Sequence, residues 1–146
     1  MDIISNEDIQ ILNEAIKSAN TFCIITNRHP DLDAICSCLA VYRYLSFIGK
    51  EANYIEIIIN KYNSKFNFIK GIELIKSTPS LLKYDLAIIL DCSSREILDT
   101  NKVLNISEKI LCIDHHYTTT NFQTDYSLLL SNVPSCTYIL YKIFSP

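Results

Sequence analysis

Three short clusters in this chain carry the groups that could do chemistry: Asp31-Leu32-Asp33, a lone Asp91, and Asp114-His115-His116. Carboxylate oxygens and imidazole nitrogens without a thiolate favour manganese, magnesium or iron over structural zinc. Carboxylates gathered at one place repel each other unless a cation neutralises them. A pair of divalent cations, roughly 3.5–4 Å apart, would activate water and clamp a phosphate during in-line displacement. In an extended segment, residues two apart project to the same side, so Asp31 and Asp33 are expected to face one cluster together. Adjacent His115 and His116 are expected to point apart, one toward metal and the other toward substrate. Taken singly, each cluster has an ordinary explanation: a solvated turn, a helix cap, a structural histidine pair. Their joint occurrence at the ends of three apolar runs is what points to a site.

The elements that must position these groups follow from the hydrophobic pattern. Residues 6–19 read as a helix opened by a Ser5/Asp8 capping box, with Ile9, Leu12, Ile16 and Ala19 on one face. Phe22 to Thr26 is a short apolar strand. Ala34 to Ile48 has helical spacing and Gly49 as its stop. Tyr54 to Ile59 is β-rich, and residues 62–76 are ambiguous but partly helical. Leu86 to Leu90 is a strand, residues 94–105 hold a short helix, and Lys109 to Ile113 is another strand. Ser135 to Phe144 reads as a last helix with Ser135 as N-cap. Strands that are apolar throughout, alternating with helices, predict a three-layer α/β/α fold around a mostly parallel sheet. In such sheets ligands bind beyond the carboxyl ends of the strands. All three clusters fall on that edge. The helix beginning near Ala34 would direct its free N–H groups to the same place, where they could help hold a phosphate.

Bulk properties narrow the class. The 146 residues suffice for one domain with a core. Hydrophobic residues make up 49% and charged residues 20%, which argues for a globular chain and against disorder. A formal net charge of −3 without a basic stretch argues against duplex DNA as a partner. The six cysteines form no CxxC pair, so neither a zinc-cysteine site nor a disulfide framework is indicated. No apolar stretch is long enough to span a bilayer, and no secretory signal is visible. A reducing cytoplasm and no membrane association are the expectation.

The motifs themselves resemble those of the DHH phosphoesterase superfamily. His29-Pro30-Asp31-Leu32-Asp33-Ala34-Ile35-Cys36-Ser37 is similar to its first motif and Tyr84 to Ser93 to its second. Ile113-Asp114-His115-His116 is similar to the third, and Ser135-Cys136-Thr137 to the Ser-Ser-Thr opening a later helix. The resemblance covers roughly residues 15 to 146 and implies a Rossmann-like fold. Members include oligoribonucleases (nanoRNases) that also dephosphorylate 3′-phosphoadenosine 5′-phosphate, cyclic-dinucleotide phosphodiesterases, single-strand exonucleases and family II inorganic pyrophosphatases. It implies hydrolysis of phosphoester bonds in short oligonucleotides or small nucleotides, with Mn²⁺ as cofactor and Mg²⁺ as the other candidate. Asp31, Asp33, Asp91 and His115 would ligate two metals, with Asp91 bridging them. His116 would contact the scissile phosphate, Asp114 would orient a histidine or water, and metal-activated water would be the nucleophile.

Three departures shape the expectation. The family's leading histidine falls at Asn27, whose carbonyl oxygen would be the ligand there, with His29 two positions away as the substitute. Cys36 stands where the family has glycine. Ending at Pro146, the chain has no room for the family's further metal-binding Asp, its linker or its second, substrate-binding domain. The expectation is therefore a single truncated domain, active or else a degenerate binding module or half of a split enzyme. It would work with a complementing chain or as a homo-oligomer, with an apolar patch near the last helix.

Overall fold

The computed structural model describes residues 4–99, 102–117 and 123–145. Six strands form one sheet: β1 (Phe22–Ile25), β2 (Ile55–Ile58), β3 (Ile75–Lys76), β4 (Tyr84–Leu90), β5 (Ser107–Asp114) and β6 (Tyr126–Leu129). Their spatial order is β3-β2-β1-β4-β5-β6, and every pairing is parallel. This is the doubly wound order. The chain runs outward from β1 in one direction and from β4 in the other, which opens a crevice at their carboxyl ends.

The helices are α1 (Asn6–Lys17), α2 (Leu32–Phe47), α3 (Lys102–Asn105) and α4 (Cys136–Phe144). One sheet face, with Phe22, Ile24, Ile57, Leu86, Ile88, Leu111 and Ile113, packs against α1, α2 and α4. The other face, with Cys23, Ile25, Ile58, Ala87, Ile89 and Cys112, is covered by α3 and a short 3₁₀ turn at Arg95–Ile97. Burial on both faces explains why the strands read as unbroken apolar runs.

Local signals set the helix ends. Ser5 Oγ accepts the Asp8 N–H at 3.1 Å, and Asp8 Oδ2 accepts the Ser5 N–H at 2.9 Å, which completes the capping box. At the end of α2, Gly49 sits at φ 96°. The Lys50 N–H reaches the Leu45 carbonyl and the Gly49 N–H the Ser46 carbonyl, a Schellman closure that favours glycine. Ser135 caps α4 by accepting the Tyr138 N–H at 3.0 Å.

The structure departs from the sequence reading in four places. Asp31 and Asp33 do not share an extended segment: Asp31 is the extended N-cap of α2, and Leu32 and Asp33 lie in the first helical turn. Residues 62–76 hold two 3₁₀ turns, Ser64–Phe66 and Ile72–Leu74, before β3. The helix expected over 94–105 is divided between the 3₁₀ turn and α3. Edge strands β3 and β6 went unread because their residues are half exposed and depend on a neighbour's ladder rather than on an apolar pattern.

The six cysteines are all unpaired thiols. No helix among the described residues is long and apolar enough to cross a membrane. Around α4, the Phe144 ring stacks on Tyr44 with centroids 3.9 Å apart, while Tyr141 and Leu129 are exposed.

Candidate metal centre

The acidic and imidazole groups meet at the carboxyl ends of β1, β4 and β5, in the crevice that the strand order opens. Asp91 follows the last residue of β4 and is only 2% exposed. Its backbone is left-handed, at φ 53°, a conformation that costs a non-glycine residue about 1 kcal/mol. Neighbouring groups hold it there. The Asp91 N–H donates to the Ile113 carbonyl of β5 at 3.1 Å, and the Asn27 side-chain amide donates to the Asp91 carbonyl at 3.0 Å.

The bend aims the Asp91 carboxylate at the other acids. Burial pushes its pKa up, the charges of Asp33, Asp31 and Asp114 push it further, and a hydrogen bond with Asp31 adds to the effect, to about 8. Asp91 Oδ1 is buried with no hydrogen-bond partner. His115 Nε2 approaches that oxygen at 3.2 Å and Asp33 Oδ2 at 3.6 Å. His116 Nδ1 lies 2.6 Å from Asp114 Oδ1 and 3.8 Å from Asp91 Oδ1. Asp114 is fully buried.

The two histidines converge rather than point apart. Their ring centroids are 4.7 Å from each other, because the strand alternation stops at Asp114. Asp91, His115 and His116 offer ligand atoms within 4.8 Å of one another. A buried acid with an orphaned oxygen, crowded by three further carboxylates, is expensive in the absence of positive charge. That donor set fits a divalent cation held by oxygen and nitrogen.

Two other residues have second duties. Asp31 Oδ1 accepts the Ala34 N–H at 2.9 Å as the cap of α2, so that N–H is already engaged at the helix end expected to receive phosphate. Asp33 accepts the Cys136 N–H at 2.9 Å and the Thr137 N–H at 3.0 Å, which ties the centre to the first turn of α4. The Cys36 thiol, on the first turns of α2, is kept protonated by burial and by the Asp33 charge.

Asn27 sits beside the centre with both polar atoms engaged by backbone: its Nδ2 on Asp91, its Oδ1 on the His29 N–H at 3.0 Å. His29 itself is exposed and lines a neighbouring cleft rather than the Asp91 cluster.

The model of the DHH family N-terminal domain matches residues 21–145. The chain belongs to the DHH family. Among solved structures, an exopolyphosphatase-related protein from Bacteroides fragilis superposes with a TM-score of 0.85 at 18% identity. The match covers 98% of this chain and 44% of that one, so this DHH chain spans less than half the length of its structural neighbour. At that identity the likeness speaks for the fold alone. No curated protein matches the DHH chain in sequence.

What the sequence reading missed lies beside the centre. A cleft of about 730 Å³ opens between the loop after β1 and the loop after β2, lined among others by Arg28, Lys61, Tyr62 and Lys65. The signal was present in Asn60-Lys61-Tyr62-Asn63-Ser64-Lys65-Phe66, where cations and aromatics interleave directly after a strand that ends on the functional edge.

Proposed function

We propose that this chain is a metal-dependent phosphoesterase domain of the nanoRNase and 3′-phosphoadenosine 5′-phosphate phosphatase type. Its substrates are short oligonucleotides or small nucleotides, and its setting is a reducing cytoplasm, in keeping with six free thiols. The observation that carries the reading is the buried, left-handed Asp91, whose orphaned oxygen faces His115 within a ring of acids. Asp31, Asp33, Asp91 and His115 would hold the cation, with Mn²⁺ favoured by the mixed oxygen and imidazole set. A bound divalent cation supplies Lewis-acid polarisation of a phosphoryl oxygen and lowers the pKa of water.

The chain's own residues do the rest. Asp114 Oδ1 lies 2.6 Å from His116 Nδ1 and orients the ring. His116 then presents Nε2–H to the scissile phosphate and can give that proton to the departing oxygen. Asn27 acts by bracing the Asp91 carbonyl and so fixing the carboxylate's direction.

A second reading has its own support. With both Asn27 polar atoms committed to backbone, position 27 adds no evident ligand, and a domain with a weakened metal set would bind nucleotide without turning it over. Mn²⁺ titration calorimetry, paired with hydrolysis of a dinucleotide and of 3′-phosphoadenosine 5′-phosphate, separates the two. Metal binding that Asp91→Ala abolishes, together with Mn²⁺-dependent hydrolysis, is the expected result. Binding without turnover selects the second reading. No Mn²⁺ binding, or binding indifferent to Asp91→Ala, sinks the metal site and with it the phosphoesterase reading.

A further inference from the structure

The geometry points to a nucleotide-binding subsite inside this domain: the cleft between the loop after β1 and the loop after β2. It holds phosphate on Arg28, Lys61 and Lys65 and a nucleobase against Tyr62. The inference rests on the phosphoesterase reading for its placement beside a hydrolytic centre, but the cleft's own chemistry is independent of the metal.

Four observations carry it. The first is position. Asp31 lines the cleft, and Asp33, two residues on, belongs to the acid cluster at the same carboxyl edge of the sheet, so the cleft borders the candidate metal centre. The second is charge. The chain carries a net −3, yet Arg28 from one wall and Lys61 and Lys65 from the other line the same cleft. Among the described residues no carboxylate lies within ion-pairing distance of any of the three. The cleft's own acids are engaged elsewhere, Asp31 on the Ala34 N–H and Asp99 on the Asn60 N–H at 2.8 Å.

The third is preorganisation. The Asp99 contact joins the β2 loop to the segment after β4, and the Arg28 N–H donates to the Ile97 carbonyl at 2.8 Å, so both walls are braced on the same strut. Phe66 is buried in the core and anchors the far end of the loop, with Lys65 5.1 Å above its ring. The fourth is the ligand class. At about 730 Å³ the cleft lies within the roughly 300–1,000 Å³ that accommodates drug-sized ligands. Cations alone would serve any phosphate. A half-buried Tyr62 ring beside them is useful to a ligand with a π-face, since base–aromatic stacking strengthens binding about tenfold or more.

The test uses adenosine 5′-monophosphate and inorganic tripolyphosphate, each titrated calorimetrically into the protein in EDTA, with Mn²⁺ affinity measured separately. The monophosphate is expected to bind in EDTA. The exposed double variant Lys61→Ala/Lys65→Ala should weaken both ligands about tenfold or more, as loss of charge-assisted contacts does. Tyr62→Leu, which keeps the apolar packing and removes the ring, should weaken the monophosphate about tenfold and leave tripolyphosphate unchanged. Mn²⁺ affinity should not move in either variant. No binding in EDTA, or binding that neither variant alters, overturns the subsite. Equal weakening of both ligands by Tyr62→Leu overturns the nucleotide class. Loss of Mn²⁺ binding with the EDTA-resistant site intact would instead remove the phosphoesterase reading and leave the cleft standing.

Discussion

Two carboxylates in this sheet are almost equally hidden from water and are treated in opposite ways. Glu56, near the start of β2, is 1% exposed; Asp91, just past the end of β4, is 2% exposed. Glu56 accepts from Lys76 Nζ at 2.8 Å, the Ser80 N–H at 3.2 Å, Ser80 Oγ at 2.7 Å and the Tyr84 hydroxyl. Burial pushes its pKa up, but those donors outweigh burial and hold it at about 2. Asp91 has burial and three acids acting together, and sits at about 8. Exposure is nearly the same, so the difference lies in the neighbours together with the deeper setting of Asp91. A buried acid whose surroundings supply every donor is a strut. One whose surroundings supply more acid is a demand for positive charge, and the left-handed backbone at Asp91 shows that the fold tolerates strain to keep it.

The sharpest way to break this contrast is Glu56→Ala. Removing the acceptor strands the buried Tyr84 hydroxyl, while the half-exposed Lys76 ammonium turns to water, and should cost about 3 kcal/mol in urea unfolding with divalent-metal affinity unchanged. A loss under about 1 kcal/mol would mean that Glu56 is not the strut described. Next in size is Asp91→Asn, which should lower metal affinity by at least about 100-fold. The same variant, free of metal, should melt higher than the wild type at pH 8. A lower melting point there would show that Asp91 is satisfied without a cation.

Titration gives the two acids opposite slopes. Asp91 is raised from an ordinary 3.8 to about 8, so its contribution is full below about pH 4 and is lost as pH climbs toward 8. Glu56 is lowered from an ordinary 4.5 to about 2, so its contribution is full above about pH 4.5 and is lost as pH falls toward 2. With the proton spread over coupled acids, the metal-free protein should lose about 2 kcal/mol between pH 4 and 8. Divalent metal should restore more stability at pH 8 than at pH 6. A metal-free profile flat over pH 4 to 8 would refute the assignment to Asp91. The smallest effect probes Asp33, which stands between the extremes, part of the acid ring yet supplied with two backbone donors. Because Asp33 also holds the first turn of α4, Ser135→Ala should cost only about 0.5–1 kcal/mol and leave metal affinity intact. A larger loss would show that Asp33 is no cap.

Much of this was legible in the residues. Apolar runs ending in Asp91 and Asp114 marked strands whose carboxyl ends meet, and Ser5, Ser135 and Gly49 announced their helix boundaries. Local chemistry writes such signals into adjacent positions. What escaped depends on partners far along the chain. The turn at Asp91 is held by Asn27 and Ile113; the convergence of His115 on His116 follows from where β5 stops. Asn27 read as a ligand position because its oxygen could serve, while its amide is used as a brace. The cation-lined cleft joins loops that only the β1–β2 pairing brings side by side.

The grip of Asp33 on α4 spans 103 positions. Closing a loop of that length is among the last entropic steps in reaching the native state. A growing chain on the ribosome can lay down β1, β2 and α2 well before residue 136 exists. Until α4 arrives, the Asp33 carboxylate lacks the two N–H groups that orient it. Alignment of the acidic crevice therefore waits until α4 has been made, and a nascent polypeptide that has not reached it carries its acids without the two donors that orient Asp33.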